Sequence, residues 1–127
     1  MVPSPTSTYW VRIYVGLQPE YEFDSAPYTL TEVVDLCQEF VDRVGLCVNV
    51  QPNTYVYGGE HGPSGSEPGV IIELINYPRF PSSERQLLDY GRALAAQCLD
   101  AFDQRRVSVM TPKNTYLIQN PKLVDHS

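Results

Sequence analysis

Between Gly58 and Gly69 the chain reads GGEHGPSGSEPG, which sets Glu60 and Glu67 around His61, one of only two histidines. Two carboxylates and an imidazole are side chains of the kind used in metal centres and in acid–base catalysis. A metal, however, needs ligands held rigid by a supporting layer of hydrogen bonds, and a run this rich in glycine offers none. A catalytic imidazole needs a nucleophile beside it, and no Ser or Cys is marked for that role by its surroundings. A phosphate-cradling loop has the form G-x-x-x-x-G-K-[ST] and opens a helix. This run has no lysine and leads into a strand-like segment. The sequence therefore predicts an exposed hairpin loop over 58–69, with Glu60 and His61 as residues that touch a partner, and with no metal or cofactor.

A second pair is placed by alternation. In YWVRIYVGL, Val11, Ile13 and Val15 alternate with Trp10, Arg12 and Tyr14; in VIIELINY, Val70, Ile72 and Leu74 alternate with Ile71, Glu73 and Ile75. A strand sends successive side chains to opposite faces. One set, joined by Val48, Val50, Val107 and Val109, is expected to face a helical layer. The other face then collects Trp10, Arg12, Tyr14, Asn49, Gln51, Ile71, Glu73, Ile75, Tyr77, Ser108 and Met110. Arg12 and Glu73 fall on strands expected to be central neighbours. In an aromatic cleft Arg12 would anchor a small anionic ligand and Glu73 would act as base or acid, with His61 as the third catalytic candidate. The plainer expectation is a cross-strand ion pair that fixes register. Trp10, Tyr14 and Tyr77 read as interface aromatics before stacking surfaces for a ring. A face this apolar predicts a cover: a second subunit, the C-terminal segment or a protein partner.

The elements that must position these residues follow from caps, periods and breakers. Thr29-x-x-Glu32 has the form of a capping box, after which Leu30, Val33, Val34, Cys37, Phe40, Val41 and Val44 recur at helical spacing until Gly45. Ser82 or Ser83 caps a second helix running to about Gln104, with Leu87, Gly91, Leu94, Ala95, Cys98, Leu99 and Phe102 on one stripe. Pro78 and Pro81 stop the strand before it, and Phe80 is placed to staple the helix start. The strand over 46–57 contains Pro52, which predicts an edge position with a bulge or kink. The apolar run over 70–77 predicts a central strand, followed by a strand over 106–111 and a short fifth one over 115–119. The order β-α-β-β-α-β predicts a ferredoxin-like α+β sandwich, an antiparallel sheet with two helices on one face. Flexible segments over 1–8 and 120–127 are expected to flank a single domain over 9–119.

Bulk properties narrow the function classes. The 127 residues make one domain. A net charge of -6 with scattered lysines and arginines argues against nucleic acid. Three cysteines, Cys37, Cys47 and Cys98, are odd in number and lie in predicted elements, which suits small buried hydrophobes in a reducing compartment. No apolar run reaches the roughly 18 residues of a membrane span, and MVPSPTST lacks the features of a signal peptide, so a cytoplasmic location is expected. A fold of this order hosts many functions. The favoured expectation is a non-catalytic binding or assembly protein, an inhibitor or accessory factor that acts through its sheet face and the 58–69 loop as a homodimer or with a protein partner. The alternative is a small enzyme or small-molecule binder whose pocket lies on the same face and uses Arg12, Tyr14, Glu73 and His61.

Overall fold

Two hydroxyls start the helices. In the computed structural model, which describes residues 5, 7–19, 25–60, 62, 64–77 and 81–122, the Glu32 N–H donates to Thr29 Oγ1 while the Thr29 N–H donates to Glu32 Oε1. That closed capping box opens α1, Leu30–Val44, which ends where Gly45 turns left-handed at φ 76°. Ser83 Oγ accepts from the Gln86 N–H and opens α2, Glu84–Ala101. This helix stops short of Gln104, where the sequence places its end. Asp103 adopts a positive φ of 50° and breaks the helical path, and the Gln104 N–H turns back to Leu99 O.

The five strands are β1 (Trp10–Gly16), β2 (Val48–Tyr57), β3 (Gly65–Ile75), β4 (Arg106–Met110) and β5 (Thr115–Gln119). They form one antiparallel sheet in the order β2-β3-β1-β4-β5. This is the ferredoxin-like arrangement, with β1 and β3 central and β5 folded back onto β4 as an added edge. The turn before β5 is held by Thr111, whose N–H donates to Asn114 O and whose Oγ1 accepts from the Lys113 and Asn114 N–H groups.

The long hairpin departs from expectation twice. Pro52 introduces no bulge: β2 and β3 pair one to one from Val48↔Leu74 to Tyr57↔Gly65. As an edge strand β2 makes ladder bonds on one side only, and proline is tolerated there. The second half of the glycine-rich run is also strand, not loop, so the hairpin connection shrinks to 58–64. Tyr55 fastens it: a Cβ on Gly69 would land inside the Tyr55 ring, and the Tyr55 hydroxyl donates to Val70 O at 3.2 Å. The β1–β3 register ends at Gly16↔Gly69, so the tip of the hairpin projects as a two-stranded arm on which Val56 is 81% exposed.

Both helices cover the face that alternation assigns to them. Val11, Ile13, Val15, Val70, Ile72, Leu74, Val107 and Val109 are almost wholly buried, at about 25 cal/mol for each Å² of apolar surface removed from water. Gly91 lets α2 press onto β1, since a Cβ there would lie 2.6 Å from Val11 Cγ1. The first helix sits more loosely than its apolar stripe implies: Val33, Cys37 and Phe40 are buried, but Leu30 and Val34 remain 41% and 43% exposed. Cys37 and Cys98 are buried as expected, and burial pushes the Cys37 thiol up to about 11. Cys47, just ahead of β2, is exposed, against expectation. Asn120 is buried as well, its amide donating to Leu99 O and Gln104 O. Among the described residues no helix is long and apolar enough to cross a membrane.

Candidate functional site

The sheet register sets Arg12 directly across from Glu73. The Arg12 Nε donates to Glu73 Oε2 at 2.6 Å, and the guanidinium lies 3.9 Å from the centre of the Trp10 ring. The hydrogen bond to Glu73, above all, holds the Arg12 pKa above its ordinary value. With the Arg12 side chain 37% exposed and that of Glu73 13%, the pair is screened on one side, and its net worth is about 1 kcal/mol or less. The expected cross-strand pair is therefore present, and the stacked guanidinium and indole add a flat, electron-rich and cationic surface. Tyr77, just beyond β3, is half-buried, and burial followed by the proximity of Cys47 raises its hydroxyl pKa.

Trp10, Arg12, Tyr14, Glu73 and Tyr77 thus share the open face of the sheet. Glu60 does not join them. It lies exposed in the hairpin turn, and the strand from Gly65 to Glu73 alone spans roughly 26 Å. His61 lies outside the described residues. Among the described residues no three metal-ligating side chains come together.

The same face continues to a second group of residues. Gly16 faces Gly69 across β1 and β3, Asn53 faces Gly69 from β2, and Tyr55 faces Glu67. The Tyr55 ring covers Gly69, and burial is the main cause of its raised hydroxyl pKa. Asn53 Oδ1 is buried with no hydrogen-bond partner among the described residues. Over Gly16 two oxygens converge: Gln104 Oε1 lies 2.8 Å, and Glu67 Oε1 3.1 Å, from where a Cβ would stand. Reading 65–69 as loop hid this group. The alternation of Asn53 and Tyr55 with Thr54 and Val56 was the available signal. Nothing local marks Gln104, whose place depends on the end of α2.

The face is lined by aromatic rings, one stacked arginine and several acceptor oxygens. Two cavities of about 250 and 190 Å³ lie elsewhere, beside α1 and β2 and beside α2 and β5. Neither is lined by the charged and aromatic groups of the sheet face, so the open face is the better candidate for chemistry.

No protein family and no curated protein matches the sequence. Among solved structures, the chain is similar to a phage SAM lyase in complex with S-methyl-5′-thioadenosine, at 22% identity and a TM-score of 0.77 over 98% of each chain. It is also similar to a phage SAM lyase in the apo state, at 23% identity and a TM-score of 0.71 over 89% of this chain and 90% of that one. At these identities the likeness is one of fold. It nonetheless overturns the expectation of a non-catalytic binding or assembly protein, because the whole-length match is to an enzyme seen with a small ligand bound. The small-molecule alternative on the sheet face is the better-supported reading.

Proposed function

We propose that the chain is a small enzyme that binds S-adenosylmethionine (SAM) on the open face of its sheet and cleaves it as a lyase. The observation that carries this reading is the end-to-end fold match to a phage SAM lyase holding S-methyl-5′-thioadenosine. The composition of the face supports it. The Trp10–Arg12 stack and Tyr14 offer planar surfaces for an adenine. SAM carries a sulfonium, which aromatic faces and carboxylates attract, and a chain of net charge -6 favours such a cation over the anion first expected.

The chemistry asks little of side-chain acids. When the bond between sulfur and the amino-acid side chain breaks, its electron pair stays on sulfur and the sulfonium leaves as a neutral thioether, which needs no proton. A lyase adds no water, so the electrons that satisfy the carbon come from within the substrate, from its own ionised carboxylate, whose attack closes a ring and leaves no proton to be taken up. The protein's contribution is then to hold a reactive conformation and exclude water. In this reading Glu73 fixes Arg12 and places negative charge on the face; it is not a general acid.

The apolar remainder of the face, including Ile71, Ile75 and the 55% exposed Leu117, supports self-association, a second copy supplying the cover that an exposed sheet needs to enclose a substrate. A cytoplasmic site suits a nucleoside substrate of this kind. The test is direct. Purified protein incubated with SAM should release S-methyl-5′-thioadenosine, followed by reversed-phase chromatography, well above a protein-free control. Product at the control rate, with no thermal shift on adding S-methyl-5′-thioadenosine, would sink the reading.

A further inference from the structure

The glycine end of the open face has a feature that the proposed reaction has not used. Gln104 is only 3% exposed, and its amide is fixed: Nε2 donates to Gln18 O at 2.8 Å and to Phe102 O at 2.9 Å. Two carbonyl acceptors settle which end of the amide is nitrogen, so Oε1 must point the other way, over Gly16. Among the described residues it accepts no hydrogen bond. Glu67 Oε1 leans over the same bare Cα from the opposite side of β1. An amide acceptor pinned from behind and a carboxylate, both aimed at one point, make a pair suited to a cationic N–H donor. A carbonyl and a carboxylate have no donor to offer an anion.

Resting on the SAM reading above, we infer that Glu67 and Gln104 bind the α-ammonium of the substrate's amino-acid portion, and so set which way the molecule lies along the sheet. From Arg12 to Gly16 is roughly 13 Å along β1, which separates the Trp10–Arg12 stack from the acceptor pair by about the length of an extended adenosyl amino acid. The adenine lies at the arginine end and the amino acid at the glycine end. Gly16 is what makes room: a Cβ there would meet Gln104 Oε1 at 2.8 Å, closer than real Cβ contacts, and Gln104 is not free to yield.

Two ligands separate this inference from the reading it rests on. S-Adenosylhomocysteine keeps the whole amino acid, whereas S-methyl-5′-thioadenosine replaces it by a methyl group. By titration calorimetry, Glu67→Gln and Gly16→Ala should each weaken S-adenosylhomocysteine about tenfold or more, the loss of a charge-assisted hydrogen bond. Both should leave S-methyl-5′-thioadenosine within about twofold of wild type. Glu67→Gln is isosteric on a half-exposed residue, so it keeps the test open if Gly16→Ala fails to fold. Variants that weaken both ligands alike, or neither, overturn the ammonium site while leaving the SAM reading standing. A wild type that binds neither ligand overturns both.

Discussion

One strand, β3, carries two kinds of surface. Val70, Ile72 and Leu74 point to the helices and are completely buried, while Gly69, Ile71, Glu73 and Ile75 point to the open side. On the first side volume and apolarity decide everything. On the second, a glycine is required by a tyrosine ring, a glutamate pairs with an arginine, and among the described residues Ile71 and Ile75 are only half-buried. The contrast teaches that the helical face stabilises the domain, and that the open face, half-buried and polar in places, contributes less to stability.

Substitutions on the two sides should differ accordingly. The largest effect is expected from Ile72→Ala, which leaves a cavity in a close-packed layer and should cost about 3 kcal/mol. Its neighbour Ile71→Ala should cost under about 1 kcal/mol in the same denaturant titrations. Equal costs would erase the distinction between the faces. Next comes the ion pair: Arg12→Ala and Glu73→Ala should each lower stability by about 1 kcal/mol or less. The double variant should lose no more than either alone, and additive losses would show that the two side chains do not act as a pair.

A smaller effect is read by pH. The Tyr55 hydroxyl has its pKa raised in the folded state, chiefly by burial. The protonated phenol is thus favoured by folding, and the associated stability is complete below the ordinary tyrosine value of about 10 and lost as pH rises through the folded value. Tyr55→Phe should flatten that alkaline decline, and an unchanged slope would place Tyr55 in water. The mildest test leaves the fold untouched. Of the three cysteines, only Cys47 is exposed, and burial holds the Cys37 and Cys98 thiols protonated. A thiol reagent at neutral pH should label one cysteine quickly in the native protein and the other two only after unfolding. Rapid labelling of all three would mean that the helical layer opens far more readily than its burial implies.

Much of this architecture was legible in the residues because it rests on short-range rules. The Thr29–Glu32 box, the α2 stripe and the alternation of Val11, Ile13 and Val15 each express a local periodicity that packing then rewards. Arg12 and Glu73 were found together because both sit on strongly patterned strands. Legibility failed where a distant partner decided the outcome. GSEPG reads as loop by composition and became strand because β2 runs alongside it and Tyr55 covers Gly69. Pro52 reads as a kink, yet an edge position absorbs it. Gln104 reads as helix end and became a buried, oriented amide because Asp103 turned the chain. A binding role read first because no motif of nucleophile and base marks the open face, and the proposed reaction, which would work through positioning, needs none.

The projecting arm has a consequence for motion. From Val48 to Asn53, β2 borders a strand that is itself backed by β1, whereas the Tyr55–Tyr57 and Gly65–Glu67 ladder runs on past the end of the β1 register. Opening the tip breaks two-stranded pairing alone, and opening the base breaks the whole sheet, so amide hydrogens along this single hairpin should span nearly the full range of exchange protection in the molecule. The step between slow and fast should fall at Tyr55 and Gly69. There one aromatic ring ties a segment expected to open readily to one that is not, and the base of the arm lies across from Gly16.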